Sequence, residues 1–189
     1  MINPVSAQGW LEPLAMDTAR ARLYETLRRR DPNHRFRIYH AHTAGGEAIY
    51  VHAKIMIVDD VSLRVGSSNM NNRSMRLDTE CDVTISTASP GNEQYGPVIT
   101  GIRDGLLAEH LGCTVEQVRA KLAETGSLID TIEALRGQGK TLRPYETPDL
   151  TVVEAWLADN EVLDAEGPGA ALEGIAKGGL LRRLRRRRR

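Results

Sequence analysis

The sequence predicts an α/β protein: a mixed β-sheet flanked by helices, with a helical extension on its C-terminal side. Two patterns carry this prediction. Short runs of β-branched and aliphatic residues, typical of strands, recur within residues 35–85. Longer segments with apolar residues at helical spacing surround them, and several end at glycine. A chain of 189 residues suits one domain with a real hydrophobic core.

The first part of the chain is predicted to contain one helix and two strands. The helix ends at the turn residues 31–33. Its apolar face consists of Met16, Ala19, Leu23 and Leu27. Residues 35–39 alternate as a strand with Phe36 and Ile38 inward. A second, buried strand is predicted over residues 48–58.

Few residues suggest a metal site. His40 and His42 alternate before a Gly45-Gly46 loop, which could indicate a metal pair. They lack a third ligand, so we interpret them as a pair at the edge of a loop. Cys81 and Cys113 are too few and too isolated for a zinc site or a disulfide framework. We therefore predict no metal.

Beyond residue 80, one strand and three helices are predicted. The strand covers residues 80–85. The first helix opens at Pro97 and ends at Gly112, with His110 as a cation near its end. Its predicted apolar stripe is Val98, Ile102 and Leu106. The second helix starts with a capping box of Thr114 and Gln117, and the third, 128–136, is capped by Ser127.

The last fifty residues are predicted to be progressively less ordered. Residues 139–148 are rich in turn formers and indicate a loop. Residues 151–158 form a last helical turn or two, anchored by Trp156. From residue 166 onward glycine, alanine and arginine dominate, which predicts disorder. We therefore divide the chain into a catalytic half-domain (1–112), a helical extension (113–165) and a tail (166–189).

The formal net charge of zero hides an uneven distribution. Seven of the 25 basic residues are arginines within the last eight positions, so residues 1–181 carry 18 basic and 25 acidic residues, a net charge of −7. An acidic body makes nucleic acid an unlikely partner. The tail Arg182–Arg189 could tether the chain to an anionic membrane surface, act as a nucleic-acid arm, or remain a solvated end.

The second strand and the segment after it gather groups suited to phosphate chemistry. His52 and Lys54 are two residues apart, so strand alternation puts them on one face. Asp59-Asp60 supplies a tight turn, and the returning strand, 61–65, ends at the polar run Gly66-Ser67-Ser68-Asn69. An imidazole, an ammonium group, a hydroxyl and an amide are therefore expected at neighbouring strand ends.

These groups have the properties that attack on a phosphodiester requires. Histidine can serve as nucleophile or proton donor near neutral pH. Lys54, Ser67 and Asn69 can stabilise charge on the phosphoryl oxygens without a metal ion. Taken singly, a histidine and a lysine on a strand are more often part of an exposed face. The combined spacing is what favours a phosphate site.

The complete spacing, His-x-Lys-x4-Asp-x6-Gly-Ser-x-Asn, is present without a gap from His52 to Asn69. It resembles the signature of the phospholipase D superfamily, and the resemblance extends from about Trp10 to Gly112. It implies that His52 is either the phosphohistidine nucleophile or the acid/base. It also implies that Lys54 and Asn69 bind the substrate phosphate.

Further roles follow from the resemblance. Ser67 would lie in the same shell as the phosphate, while Asp59 and Gly66 would be structural. Glu80 matches the downstream acid that orients the histidine in this family. A carboxylate on one ring nitrogen of His52 would fix its tautomer and stabilise the imidazolium. Residues 71–73 could equally line the pocket or satisfy the backbone of their own loop.

Family members build one active site from two such motifs, in one long chain or in two identical short chains. Only one is present here, because none of the other four histidines is followed two residues later by lysine. The chain is therefore similar to the C-terminal half of a two-motif bacterial phospholipase D or cardiolipin synthase-like enzyme. In that half the histidine is usually the acid/base.

Three functions stay open at this stage. The first is hydrolysis or headgroup transfer of a phospholipid, with a second motif supplied elsewhere. The second is a nuclease-like homodimer that completes the site by symmetry. The third is an inactive half that binds a partner. Neither a cofactor nor a signal peptide or membrane span is predicted, so we expect a cytoplasmic or peripheral membrane protein.

Overall fold

The computed structural model describes residues 11–147, and side-chain environments from Arg20 onward. These residues form two compact units, one of 30–67 and 81–146, the other of 11–29, 68–80 and residue 147. The regular elements, in chain order, are α1 (Leu11–Arg29), β1 (Tyr39–His42), β2 (Lys54–Val58), β3 (Ser62–Gly66), a π-helix (Arg73–Leu77), β4 (Asp82–Ser86), α2 (Gly96–Leu111), α3 (Val115–Thr125), α4 (Leu128–Leu135) and β5 (Thr141–Pro144).

The predicted α/β class is confirmed, with the strands divided between two small sheets. β1 pairs with β5, and β2, β3 and β4 form a second sheet in that order, which we call the motif sheet. Every one of these pairings is antiparallel. The single mixed sheet of the prediction is thus replaced by two antiparallel ones. β2 returns directly as β3 through a tight turn, and such a connection permits only antiparallel pairing.

The turn between β2 and β3 is the one that the sequence predicted. Asp59 and Asp60 have φ angles of 51° and 55°, in the left-handed region. The backbone N–H of Val61 donates to the carbonyl of Val58 at 2.9 Å and closes the turn. Two successive left-handed residues are typical of the hairpin turn whose twist matches the flanking strands.

The motif strand itself is shorter and more exposed than predicted. β2 begins at Lys54, and residues 49–53 precede it without regular strand pairing. Ile55, Met56 and Val58 are 38 %, 45 % and 46 % exposed. The prediction that this strand is buried is therefore wrong, because the apolar side chains of β2 remain partly open to solvent.

The strand predicted over residues 35–39 is displaced toward β1. The carboxylate of Asp31 accepts hydrogen bonds from the backbone N–H groups of Arg35 at 2.9 Å and Phe36 at 2.8 Å, so these residues are held outside a sheet. The same two bonds hold the pKa of Asp31 below its ordinary value. The inward residues of the actual strand are Tyr39 and Ala41.

β5 lies within the stretch that the sequence predicted to be a loop. Its partner is β1, with His40 opposite Arg143 and His42 opposite Thr141. The loop prediction is wrong there because the pairing joins segments far apart in the sequence, and local turn propensity does not register it. His40 and His42 lie in β1, and His42 is its last residue, at the edge of the loop that contains Gly45 and Gly46.

β1 and β5 form a two-stranded sheet, which we call the β1–β5 ribbon. The hydrophobic core of the first unit forms where this ribbon meets α2 and α4. Its buried members, which we call the core cluster, are Tyr39, Ala41, Leu111, Ile132 and Leu142. Helix α4, predicted to belong to a separate extension, contributes one of these side chains.

Helix α2 turns a different face inward from the one predicted. Val98 and Ile102 are exposed, whereas Ile99 and the carboxylate of Asp104 are each only 1 % exposed. Asp104 Oδ1 accepts from Arg103 at 2.8 Å, and its Oδ2 accepts from Arg119 of α3 at 3.0 Å. Because Asp104 is paired with two arginines, its charged side chain can be buried. The spacing of apolar residues along the helix does not predict such a pairing.

The end of α2 follows the sequence, except for the charge of its histidine. Gly112 ends the helix at a φ of 63°, and its N–H donates to the carbonyl of Ala108. Burial lowers the pKa of His110, and the nearby ammonium group of Lys140 lowers it further. The cation predicted at this helix end is therefore disfavoured.

The caps of α3 and α4 are confirmed. Thr114 and Gln117 form a reciprocal capping box, with bonds of 2.8 and 3.3 Å. The hydroxyl of Ser127 accepts the N–H of Asp130 at 3.3 Å at the start of α4. α4 ends one residue before the predicted boundary.

The second unit contains α1 and the π-helix. Leu23 and Leu27, predicted on the apolar face of α1, are 56 % and 39 % exposed, whereas Ala21 is fully buried. Thr147 donates to the carboxylate of Glu25 at 3.1 Å. Across residues 11–147, no helix combines the length and the apolarity needed to cross a membrane. The predicted helical turn at 151–158 and the tail lie outside the described residues.

Candidate active site

The residues of the motif fall in both units. The first unit contains His52, Lys54, Asp59, Gly66 and Ser67, and the second contains Asn69 and Glu80. The spacing of the motif therefore does not coincide with one compact piece of the fold.

Within the first unit, three of the predicted site residues lie at the same end of the β2–β3 hairpin. Lys54 is directly opposite Gly66 in the strand register. His52 precedes Lys54 by two residues, and Ser67 follows Gly66, so both continue from that end. The imidazole, the ammonium group and the hydroxyl are thus brought to one edge of the motif sheet.

The lysine side chain folds back along its own strand. Lys54 Nζ donates to the carbonyl oxygen of His52 at 2.8 Å. This bond holds the ammonium group beside the backbone of the motif histidine. An ammonium group has three donors, so the remaining two are available to oxygens of a bound phosphate.

Tyr50 is a neighbour of the histidine that the sequence reasoning missed. Its ring is stacked on that of His52, with ring centroids 5.8 Å apart and an angle of 17° between the planes. The alternation Tyr50, His52, Lys54 was a signal that could have identified it. A stacked aromatic ring limits the orientations of the imidazole.

Gly66 occupies a position where no side chain fits. A Cβ built there would lie 2.0 Å from Asp82 Oδ1 and 2.6 Å from the carbonyl oxygen of Cys81. Asp82, directly opposite on β4, is held over the glycine by Arg64, whose Nη2 donates to Oδ2 at 2.9 Å. Neither Asp82 nor Arg64 was singled out from the sequence, because their pairing depends on the register of three strands.

Ser67 continues the contact between β3 and β4 beyond the strands. Its backbone N–H donates to the carbonyl of Cys81 at 3.0 Å, and its hydroxyl accepts the Cys81 N–H at 3.0 Å. The hydroxyl oxygen also lies 3.5 Å from the same carbonyl oxygen. A serine hydroxyl is a donor group that suits phosphate oxygens.

The aspartate of the motif lies at the opposite end of the hairpin. β2 separates Asp59 from His52 by roughly 20 Å at strand rise. Its neighbour Asp60 forms an ion pair with Arg103 of α2. The structural role predicted for Asp59 stays a prediction, but the residue lies far from the groups gathered around His52.

In the second unit, the polar run after Asn69 mostly bonds within itself. Asn71 Oδ1 accepts the backbone N–H of Ser74 at 2.9 Å. Arg73 binds both oxygens of Asp78, at 3.0 and 3.3 Å. For Asn71 and Arg73, these contacts favour the alternative in which residues 71–73 satisfy the polar groups of their own segment. Asn69 is exposed and Glu80 is half-buried; their proposed roles remain predictions.

The donor set favours an anion over a metal ion. Among the described residues, no group of three or more histidine, cysteine, aspartate or glutamate side chains could hold a metal. An ammonium group, an imidazole and a serine hydroxyl are instead suited to binding and activating a phosphodiester. The phosphodiester chemistry that the motif spacing predicted stays a prediction.

Comparisons with known proteins agree with the motif. The family model described as Phospholipase D matches residues 19–150. The chain is 38 % identical over 81 residues to Phospholipase D1 of Saccharomyces cerevisiae, covering 38 % of this chain and 5 % of that protein. It is 41 % identical over 76 residues to Phospholipase D delta of Arabidopsis thaliana, covering 36 % and 9 % of the two chains.

A further relative, Phospholipase D alpha 2 of Brassica oleracea var. capitata, is 36 % identical over 93 residues, covering 47 % of this chain and 11 % of that one. The chain therefore spans only a small part of the curated relatives that it matches. No solved structure gives a significant match. Because the family model covers well over half of the sequence, the chain belongs to the phospholipase D family.

Proposed function

We propose that this chain supplies one histidine–lysine half of a phospholipase D-type active site that acts on phospholipid phosphodiesters. The observation that supports this most directly is the placement of His52, Lys54 and Ser67 at one end of the hairpin. The family relationship supplies the class of reaction.

The proposed reaction has two steps and needs two histidines. In the first, one imidazole nitrogen attacks phosphorus, the bond from phosphorus to the headgroup oxygen breaks, and the second histidine gives that oxygen a proton. In the second, the oxygen of water or an alcohol attacks phosphorus, the phosphorus–nitrogen bond of the phosphohistidine breaks, and the attacking oxygen loses its proton to the second histidine. His52 performs one of these two roles, and the resemblance to a C-terminal half favours the acid/base.

The other motif residues have supporting roles in this proposal. Lys54 and Asn69 bind the phosphate oxygens on which negative charge develops, and Ser67 adds a hydroxyl donor. Glu80 orients His52 from one ring nitrogen. If so, a structure of the competent assembly should place a carboxylate oxygen of Glu80 within about 3.2 Å of the His52 ring. A structure that places Glu80 on the opposite face of the sheet from His52 would contradict this assignment.

The substitution series that tests these roles uses a competent assembly and a phospholipid substrate. His52→Ala should abolish turnover, and Lys54→Ala should be nearly as severe because it removes fixed positive charge. Asn69→Ala should cost roughly 10²–10³ in rate, in line with one lost donor. His34→Asn is the matched control, because His34 is exposed, lies outside the motif and has a left-handed backbone that asparagine tolerates.

The requirement for a second motif has its own test. A chain that is monomeric in light scattering should have negligible phosphodiesterase activity. If identical chains complete the site, turnover per chain should rise with concentration as the scattering mass doubles. If a separate half is needed, activity should appear only on adding that half. Robust turnover by a proven monomer would contradict the half-site proposal.

Hydrolysis and headgroup transfer can be separated by their products. Both pass through the same phosphohistidine, and they differ in whether water or an alcohol attacks it. With phosphatidylcholine and added ethanol, transfer yields phosphatidylethanol and hydrolysis yields phosphatidate, which mass spectrometry distinguishes. Neither product from an assembly that contains two motifs would favour the inactive, partner-binding alternative.

A membrane tether is part of the same proposal. The arginines of Arg182–Arg189 could each contribute about 1 kcal/mol near an anionic surface. Removing residues 182–189 should weaken binding to phosphatidylglycerol vesicles while leaving turnover of a water-soluble diester unchanged. Equal vesicle binding by both chains would leave the tail as a solvated end.

A further inference from the structure

A cleft with basic walls lies in the first unit beside the β1–β5 ribbon. It has a volume of about 600 Å³. Its charged and polar lining is His40, His42, Arg136, Gln138, Thr141, Arg143 and Glu146. None of these residues belongs to the motif, and the family comparison assigns them no role.

The strand register explains why the basic side chains meet there. His40 lies opposite Arg143 across the ribbon, and His42 lies opposite Thr141. His40 and His42 are two residues apart, so they project to one side of β1. The rings of His40 and Tyr145 pack in a T-shaped arrangement with their centroids 5.5 Å apart, which limits the rotation of the His40 ring.

Gly46 lies next to two side chains of the cleft lining, His42 and Arg143. Its carbonyl oxygen lies 3.1 Å from Nδ1 of His42. A carbonyl can only accept, so Nδ1 carries the hydrogen and Nε2 is the nitrogen left for a ligand. A Cβ on Gly46 would come within 3.3 Å of Arg143 Nη2, so the guanidinium lies close against the glycine.

The arginines retain donors for a ligand. Within residues 20–147, the side chain of Arg143 has no hydrogen bond or ion pair with another side chain. Arg136 bonds to Glu133 through Nε at 2.6 Å, which leaves the N–H groups of both Nη atoms unused by that bond. A guanidinium without a carboxylate partner, in a cleft and next to histidines, is a binding element for planar or tetrahedral oxyanions.

A metal ion is disfavoured at this place. His40, His42 and Glu146 are residue types that bind metals, but no three such side chains in the described part of the chain are grouped to hold one. Two guanidinium groups in the lining would also repel a cation. The lining is therefore matched to an anion.

We propose that this cleft binds a phosphate monoester, with Arg143 as the principal anchor, Arg136 as an additional donor and His42 Nε2 as the acceptor of a hydrogen from the phosphate hydroxyl. The site is distinct from the motif that carries the proposed catalytic function. Its ligand could be a free phosphate compound or the headgroup of phosphatidate in a membrane, which present the same phosphoryl group.

The primary test is calorimetric titration of the full chain with inorganic phosphate and with glycerol 3-phosphate. Saturable binding of one equivalent is expected. Arg143→Gln should weaken it roughly tenfold or more, as expected for a lost charge-assisted hydrogen bond. Arg143→Lys should lie between the two, because it keeps the charge and loses the two-pronged geometry.

Two control variants separate this site from the motif. Arg35→Gln removes an exposed arginine outside the cleft and should leave the titration unchanged. Lys54→Ala removes the lysine of the motif, and phosphate binding in the cleft should survive this change. If phosphate binding is lost in Lys54→Ala and kept in Arg143→Gln, the ligand occupies the motif and the cleft proposal is overturned. The proposal would also be overturned if the chain bound no phosphate at millimolar concentration and Arg143→Gln did not change flotation with phosphatidate vesicles.

The source of the phosphate is settled with vesicles. Wild-type and Arg143→Gln chains, both with the arginine tail intact, are floated with phosphatidylcholine vesicles with and without phosphatidate. A loss confined to phosphatidate vesicles in Arg143→Gln indicates a lipid headgroup. Equal flotation by both chains, together with weakened binding of glycerol 3-phosphate, indicates a soluble ligand. Circular dichroism of Arg143→Gln should match wild type, because the side chain is exposed.

Discussion

The core cluster and the motif sheet are parts of one compact unit, yet they differ sharply in how much apolar surface they bury. The five residues of the core cluster are between 0 % and 9 % exposed. On the motif sheet, the cross-strand row Ile55, Val65 and Val83 is 38 %, 46 % and 64 % exposed. The part of the fold that carries the motif residues is thus not the part that supplies most of the burial.

This difference indicates a division of roles within the unit. The core cluster joins strands and helices distant in the sequence, and its burial provides the hydrophobic stabilisation. The motif sheet is held by backbone pairing and presents His52 and Lys54 at its edge. Its open apolar row is a surface that the remainder of a phospholipase D site could cover, in keeping with the proposed need for a second half.

Ion pairs connect the two regions. Asp60, in the turn of the motif hairpin, pairs with Arg103 of α2, which also binds the buried carboxylate of Asp104. Asp104 in turn binds Arg119 of α3. One buried acid therefore coordinates the hairpin and two helices. Four predictions sharpen or break the comparison, beginning with this network.

The largest effect on stability is expected from Asp104→Ala. Removing this carboxylate leaves Arg103 as a largely buried charge with only Asp60 as partner, which should cost about 3–5 kcal/mol in the free energy of unfolding. Urea denaturation followed by circular dichroism measures it. Glu124→Ala, which breaks a surface pair with Lys121, is the control and should cost less than about 1 kcal/mol. Equal losses in the two variants would contradict the role given to Asp104.

The next effect compares the two regions directly. Leu142→Ala, in the core cluster, should lower the free energy of unfolding by roughly 2–5 kcal/mol. Val83→Ala, on the motif sheet, should lower it by less than about 1 kcal/mol, because most of its side chain is already in water. If both variants lost the same stability, the motif sheet would be covered in solution, most simply by a second copy of the chain.

A smaller effect is expected on catalysis from the stacked ring. Tyr50→Leu in a competent assembly should reduce turnover by roughly two- to fivefold, corresponding to about 0.5–1 kcal/mol for an exposed ring facing a developing imidazolium. Tyr50→Phe, which keeps the ring, should behave as wild type. The urea midpoints of all three chains should agree. A Tyr50→Phe variant as slow as Tyr50→Leu would assign the effect to the hydroxyl and not to the stack.

The smallest effect is a pH dependence that arises near the core cluster. Burial lowers the pKa of His110, so the unfolded chain, titrating near pH 6.5, binds more protons than the folded chain below that pH. The folded state therefore loses stability as the pH falls below about 6.5, and the loss is complete below the folded pKa. His110→Gln should flatten the urea midpoint between about pH 7.5 and 5. An unchanged slope would contradict this assignment.

The neighbouring carboxylate of Glu109 titrates outside this pH range. A hydrogen bond from Lys140 lowers the pKa of Glu109, so the contribution of Glu109 is present at higher pH and is lost only below the ordinary glutamate range. Measurements above about pH 5 consequently report on His110.

Local chemistry allowed several features to be predicted from sequence. The turn at Asp59-Asp60 needs residues that tolerate a left-handed backbone, and the start of α3 needs the reciprocal pair Thr114 and Gln117. The end of α2 needs glycine at position 112. Each depends on groups within a few residues of one another. The motif spacing likewise led to the family and to the hairpin end where His52 and Lys54 lie.

The tertiary structure decided which faces are buried and which distant segments meet. The pairing of β1 with β5, and with it the basic cleft, joins segments that are far apart in the sequence. Asp104 is buried because two arginines from α2 and α3 bind its carboxylate, although its sequence neighbours suggest an exposed position. Periodicity records the polarity of each residue but not the partner that will neutralise it. Only the folded chain brings those partners together, because a buried charge is tolerated where complementary charges and hydrogen bonds surround it.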